Sequence, residues 1–148
     1  MTTNTSTYFA IQQTLFRFMQ TFDSKNWKQM RECLCETIVC DYASFRGEKP
    51  GSLKADEYVA KRKAALTNLK TQHNLSNIVV EVEADTIEVS CNYAIYRFHP
   101  EISSDYFHSY GRYIFTLKQE ASHWKISAIT QLLLTSEGNP GLHKGVKI

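Results

Sequence analysis

Glycine and proline are scarce in this 148-residue chain, six and three in all, and most of them cluster at Gly47–Gly51 and Gly138–Gly141. No Gly-rich phosphate loop is present, which argues against nucleotide chemistry. Cysteine is also sparse: Cys33, Cys35, Cys40 and Cys91. No His/Cys/Asp grouping has metal-ligand spacing, so no metal is expected, and no nucleophile-elbow motif for acyl transfer occurs. Met1 to Thr7 is rich in Thr, Ser and Asn and lacks the basic and apolar regions of a secretory signal. An even cysteine count without such a signal does not imply disulfides, and idle thiols in a reducing cytoplasm are expected. Cys33 and Cys35, two apart on an expected helix, point to nearly opposite sides. No apolar run reaches membrane-spanning length. A net charge of +2 is too small to call for nucleic acid or an acidic membrane. The densest basic run, Lys61-Arg62-Lys63, reads as a solvated helix face.

What is present is ordinary globular composition, 43% hydrophobic and 22% charged, at a length that buries a sizeable core in one domain. The domain is expected over residues 8–136, between a disordered 1–7 and a tail at 137–148. Tyr8, Ile11, Leu15, Phe18 and Phe22 step by three and four, which predicts an amphipathic helix with a broad aromatic face. A turn at Asp23–Asn26 leads to a short helix from Trp27 to about Leu34, a strand at Ile38–Tyr42 and a Gly/Pro loop. A third helix starts at Ser52 or Asp56 and ends near Leu69. From there the period changes to two. Strands are predicted at Thr71–Val82, Thr86–Phe98, Tyr106–Leu117 and Trp124–Thr135. Helices followed by consecutive strands indicate an α+β fold, three N-terminal helices on a strongly curved, mainly antiparallel sheet, with a cone open at one end.

Polar residues sharpen this reading. His73, Leu75, Asn77 and Val79 share one face of the first long strand. An imidazole and a carboxamide beside Leu and Val fit a partly polar pocket, the plain alternative being a buried, hydrogen-bonded histidine. Asp23 ends the first helix, Tyr42 lies in the strand after the second, and His99, His108 and Ser109 lie on later strands or at their ends. An acid, a phenol and imidazoles are the equipment of proton transfer near neutral pH. A carboxylate beside His73 would fix its tautomer and stabilise the imidazolium; spacing leaves open whether Asp23 reaches it. His108 alternates out of phase with Ser109 and faces away if Ser109 faces the pocket. His123 and His143 are expected at the surface. Phe18 and Phe22 are core residues that also reach the pocket rim.

The order Phe22-Asp23-Ser24-Lys25-Asn26-Trp27, Asp41-Tyr42-Ala43-Ser44-Phe45, Thr71-Gln72-His73 and His108-Ser109 resembles scytalone dehydratase and the SnoaL-like branch of the nuclear transport factor 2-like superfamily. Gly111-Arg112-Tyr113 and Trp124-Lys125-Ile126 are similar to that branch too, and the likeness covers about Tyr8 to Gly138. It implies a cystatin-like cone with an internal pocket and elimination of water from a cyclic β-hydroxy ketone. By that likeness His73 is the general acid/base, Asp23 its orienting carboxylate, and Tyr42 helps hold a water on the substrate carbonyl. Ser109 matches a pocket serine, and His99 falls near the dehydratase's second histidine. Asn77 is a pocket-wall or backbone-bonding residue. Two departures stand out: Phe22 replaces a second tyrosine, and Gly111 replaces a pocket asparagine.

Two functions are therefore expected as alternatives. One is a cofactor-independent lyase, dehydratase or isomerase acting on a small cyclic or aromatic carbonyl compound. The other is a non-catalytic domain that binds a small apolar ligand or dimerises. The likeness also implies a homo-oligomer, dimer favoured and trimer possible, and a tail whose Leu142 and Val146 either close the cone or lie on a neighbour.

Overall fold

The first helix begins where Asn4 offers its side-chain oxygen to the Thr7 amide at 2.8 Å. The computed structural model describes residues 4–143 and places α1 at Thr5–Ser24. Expected disorder over 1–7 is thus corrected for residues 4–7, because the cap satisfies an amide of the first turn; residues 1–3 lie outside the described residues. Ile11, Leu15, Phe18, Met19 and Phe22 are buried along one stripe. Lys25 stops the helix in a left-handed conformation, φ 59°, its amide donating to the Thr21 carbonyl. Asn26 then caps α2, Trp27–Glu32, through the Gln29 amide.

Strand β1, Leu34–Asp41, starts earlier than the sequence suggests. Cys33 caps α2 and Cys35 belongs to β1, so the expected helix carrying both is corrected. All four thiols are free and buried, and burial pushes each up to about 11, away from reactive thiolate. Tyr42 lies just beyond β1 at the start of a single helical turn, α3 (Ala43–Arg46), rather than inside a strand. The expected Gly/Pro loop yields β2, Gly51–Lys54, a four-residue strand antiparallel to β1. Helix α4 runs Ala55–Leu66. Helices and strands therefore interleave before the long strands begin, with β2 and α3 added to the expected short strand between the second and third expected helices.

The long strands are β3 (Lys70–Glu83), β4 (Thr86–Phe98), β5 (Tyr106–Glu120) and β6 (His123–Gly138), followed by a 3-10 turn at Pro140–Leu142. Their order in the six-stranded sheet is β2-β1-β6-β5-β4-β3, antiparallel except for β1 against β6. The sheet curves around α1, which packs on β3 and β6, giving the expected α+β cone. Alternation along β4 turns Ile87, Val89, Cys91, Tyr93, Ile95 and Arg97 inward. No helix among the described residues is long and apolar enough to cross a membrane.

A bulge between Ser76 and Val79 breaks the pairing of β3 with β4, with Asn77 at φ 52°. His73 and Leu75 face inward before it, and Ile78, Val80 and Val82 pack on the core after it. Asn77 and Val79 are exposed, which corrects their expected place on the His73 face. The extra residue reverses the phase of the strand.

Candidate active site

The end of α1 and the start of β3 bring Asp23 and His73 together. His73 Nδ1 lies 2.7 Å from Asp23 Oδ1, and the His73 amide donates to Oδ2 at 2.9 Å. Thr71 Oγ1 donates to Oδ1 at 3.0 Å and accepts from Lys25 Nζ at 3.0 Å. A carboxylate only accepts, so Nδ1 carries the hydrogen and Nε2 the lone pair. The imidazole is buried and its other flank stacks on Phe22, ring centroids 4.5 Å apart. Burial holds His73 below the usual histidine value, against the opposing pull of Asp23. The ring is neutral at pH 7, the form a general base requires.

His73 forms one wall of a cavity shared with Tyr42, Tyr58, Arg46, Arg62, Arg97 and His143. Tyr42 and Tyr58 hydroxyls lie 2.7 Å apart, and burial raises both far above the ordinary phenol value. One hydroxyl donates to the other, which leaves a second hydrogen free to donate elsewhere. The space open to water centres is about 20 Å³, room for roughly one water. Glu81, Glu83 and Glu88 also approach one another at the β3–β4 hairpin, but they lie at the surface.

Several expected positions differ. Asn77 is exposed beyond the bulge. His99 lies outside the cavity, its Nδ1 accepting the Glu101 and Ile102 amides in the loop after β4. Phe18 does not line the cavity and packs between Phe22, Tyr58 and Phe115. Ser109 is buried behind the wall, accepting from Arg97 Nη1 at 3.1 Å. Phe22 does line it. His108 points outward, as the alternation predicts, among Tyr96, Phe98 and Tyr106. His143 is buried rather than exposed, because the 3-10 turn brings the chain back onto the cavity; Val146 lies outside the described residues.

Sequence reading missed Tyr58 and the three arginines. Arg62, assigned to a solvated face, is buried, whereas Lys61 and Lys63 are exposed. A signal existed: Ala55, Tyr58, Arg62 and Leu66 lie on one stripe of α4, and Arg97 closes the inward series of β4.

The curved sheet closed over a helix is a fold shared with solved NTF2-like proteins, one of them from Cytophaga hutchinsonii at TM-score 0.68 and 14% identity over 89% of this chain and 100% of that one. Within that fold this chain belongs to the SnoaL-like domain family, whose sequence profile matches residues 4–130. The chain is similar to scytalone dehydratase PfmaJ of Pestalotiopsis fici, 34% identical over an 83-residue alignment that covers 53% of this chain and 44% of that one. It is also similar to scytalone dehydratase of Colletotrichum orbiculare, 32% identical over 83 residues, with the same coverage of both chains. The chain thus spans less than half the length of these curated relatives. Kfla4162 from Kribbella flavida shares the fold at TM-score 0.83 and 19% identity, over 90% of this chain and 93% of that one.

Proposed function

We propose that this chain is a cofactor-independent lyase or isomerase of small cyclic or aromatic carbonyl compounds, with His73 as its acid/base. The observation that carries the reading is the 2.7 Å contact between His73 Nδ1 and Asp23, which leaves the lone pair on Nε2 of a cavity-lining imidazole. His73 takes a proton from the carbon next to the carbonyl. The C–H electron pair moves into the carbonyl as an enolate, and Asp23 stabilises the imidazolium. The free hydrogen of the Tyr42–Tyr58 pair is donated to the enolate oxygen. Tyr58 thereby supplies a second hydroxyl where Phe22 has none. In a lyase the enolate re-forms the carbonyl and expels the β-hydroxyl, which takes the proton from His73 and leaves as water. In an isomerase the proton returns at another carbon.

The test is incubation with a panel of cyclic β-hydroxy ketones in D₂O, followed by NMR for dehydration or deuterium at the α-carbon. Wild type is expected to show one or the other. His73→Gln is expected to show neither while keeping its melting temperature; loss of folding with activity would instead mark a structural histidine. The second reading, a non-catalytic ligand-binding domain, draws on the small free volume of the cavity and on the Phe22 ring against His73. It requires no turnover on any substrate and only modest affinity changes in Asp23→Asn.

Self-association belongs to the same proposal. Leu134 is 80% exposed, with Leu132 beside it in a surface groove that Tyr110 and Arg112 also line. Two copies pairing through this sheet face would cover them. Sedimentation at micromolar concentration should show a dimer that Leu134→Glu converts to monomer, and a monomeric wild type ends the idea. A cytoplasmic location, consistent with four free thiols, is likewise part of this reading.

A further inference from the structure

We infer that the cavity binds a small organic carboxylate, held by Arg46, Arg62 and Arg97. The inference rests on the proposed function and narrows its substrate class to carbonyl compounds that also carry a carboxylate.

The three arginines come from α3, α4 and β4 and are only 6%, 4% and 2% exposed. Such burial normally demands an opposite charge or a full set of hydrogen-bond acceptors. Among the described residues neither is present. None of the three joins an ion pair, no carboxylate lines the cavity, and Asp23 is engaged with His73 and Thr71. Among the described residues the Nε of each arginine finds no hydrogen-bond partner. Among the described residues only Arg97 is given acceptors, Ser109 Oγ at 3.1 Å and the Phe107 carbonyl at 3.5 Å, both from Nη1.

Aromatic faces supply part of the missing hydration. Arg62 lies over Tyr42 and Tyr58, Arg46 over Tyr42, and Arg97 over Phe45 and Phe107. A ring face attracts the cation but cannot accept the in-plane N–H groups. It does nothing to relieve three like charges around one cavity. Arg46 and Arg97 are both held below the usual arginine value, chiefly by burial, Arg97 at about 10. One carboxylate answers both deficits. Its two oxygens offer about four lone pairs to guanidinium forks, and its charge offsets the repulsion.

Room for the rest of the ligand comes from His143. Its imidazole lines the cavity, its Nδ1 finds no partner among the described residues, and it sits just past the 3-10 turn. Displacing that ring admits an organic body beside His73 while the carboxylate stays with the arginines.

The experiment is titration of the full chain with benzoate, benzamide and inorganic phosphate at pH 7 and constant ionic strength, followed by thermal shift and calorimetry. Benzoate is expected to bind and raise the melting temperature, and its neutral isostere benzamide to do neither. Arg62→Met and Arg97→Met are each expected to weaken benzoate at least tenfold while the unliganded protein melts at or above the wild-type temperature, since each removes an uncompensated charge. If either variant fails to fold, Arg62→Lys replaces it; that change keeps the charge but loses the fork, and should still weaken benzoate. Equal binding of benzamide and benzoate, no binding of benzoate, or wild-type benzoate affinity in the arginine variants would overturn the inference. Phosphate binding more tightly than benzoate would overturn the carboxylate assignment. Benzoate binding without turnover on the hydroxy-ketone panel leaves the anion site standing without the acid/base reading, and turnover without benzoate binding does the reverse, so the two readings fail separately.

Discussion

Asp23 carries its negative charge in the last turn of α1, where free carbonyls already make the helix end negative. The position is tenable because the His73 amide, the His73 ring and the Thr71 hydroxyl all donate to it, with Lys25 one bond further away. Asp23→Asn removes the charge that stabilises an imidazolium, and it replaces one accepting carboxylate oxygen by an NH2 group that can only donate. Turnover should fall by roughly 10²–10⁴-fold, the usual scale of general acid–base catalysis. A steady-state assay on any substrate found by deuterium exchange would check this, and an unchanged rate would remove the dyad from the mechanism. Tyr42 and Tyr58 make a second residue-level case. Each single change to Phe strands the other hydroxyl in a buried site at a cost of about 1–3 kcal/mol, whereas changing both removes the unpaired group. Urea denaturation of the two single variants and the double should therefore be non-additive, with the double less destabilised than the sum of the singles. Additive losses would mean that the 2.7 Å contact contributes nothing.

At the level of elements, small irregularities decide which side chains meet. The bulge at Asn77 sends β3 from one phase to the other, so the four-residue face that alternation predicts breaks after Leu75. A one-residue insertion leaves no mark on hydrophobic alternation beyond a doubled polar pair, here Ser76-Asn77, and such pairs also occur in regular strands. Strand β2 escaped notice because Gly51 and Lys54 are poor strand formers and four residues are too few for a period. Gly111 shows the opposite case, where the structure explains a residue that the sequence could only record as a departure. A Cβ there would run into the Leu132 carbonyl oxygen of β6 and lie within 2.9 Å of the Tyr93 ring. Backbone from the neighbouring strand cannot give way as a side chain can. Gly111→Asn is expected to destabilise the protein by about 1–3 kcal/mol or more, the range for overpacked sites, and to restore no useful donor. A urea midpoint equal to wild type would show that β5 and β6 separate there more easily than their register implies.

For the whole molecule, the cone was legible because it depends on long periodic segments: a 3.6-residue stripe in α1, then four alternating strands. The site was legible only in part. Asp23 and His73 stand out as polar residues at the edges of apolar patterns, whereas Arg62 and Arg97 do not. A one-dimensional pattern cannot tell a buried cation from a solvated one, and α4 looks charged on every side until its partners are known. His143 was invisible for the same reason, since its burial depends on where the chain turns back. This buried set has a consequence for stability that belongs to the whole fold. His73 faces Asp23, Lys25 and Arg97, and His143 faces the three arginines; burial is the leading cause that lowers each imidazole below its ordinary value. In the unfolded chain both return to about 6.5. As pH falls below that value the unfolded state takes up protons that the folded state refuses, so stability declines with falling pH. Each histidine contributes a slope of at most about 1.4 kcal/mol per pH unit, confined to the interval between its folded and unfolded values, and nothing well above the latter. Urea denaturation at pH 7.5, 6.5 and 5.5 should show little change over the first interval and a clear loss over the second, before carboxylates titrate. His73→Gln and His143→Gln should each flatten that loss by one proton's worth, and the double variant should nearly abolish it. If wild-type stability is level down to pH 5.5, both rings accept protons in the fold, and the neutral His73 on which the acid/base reading depends is lost.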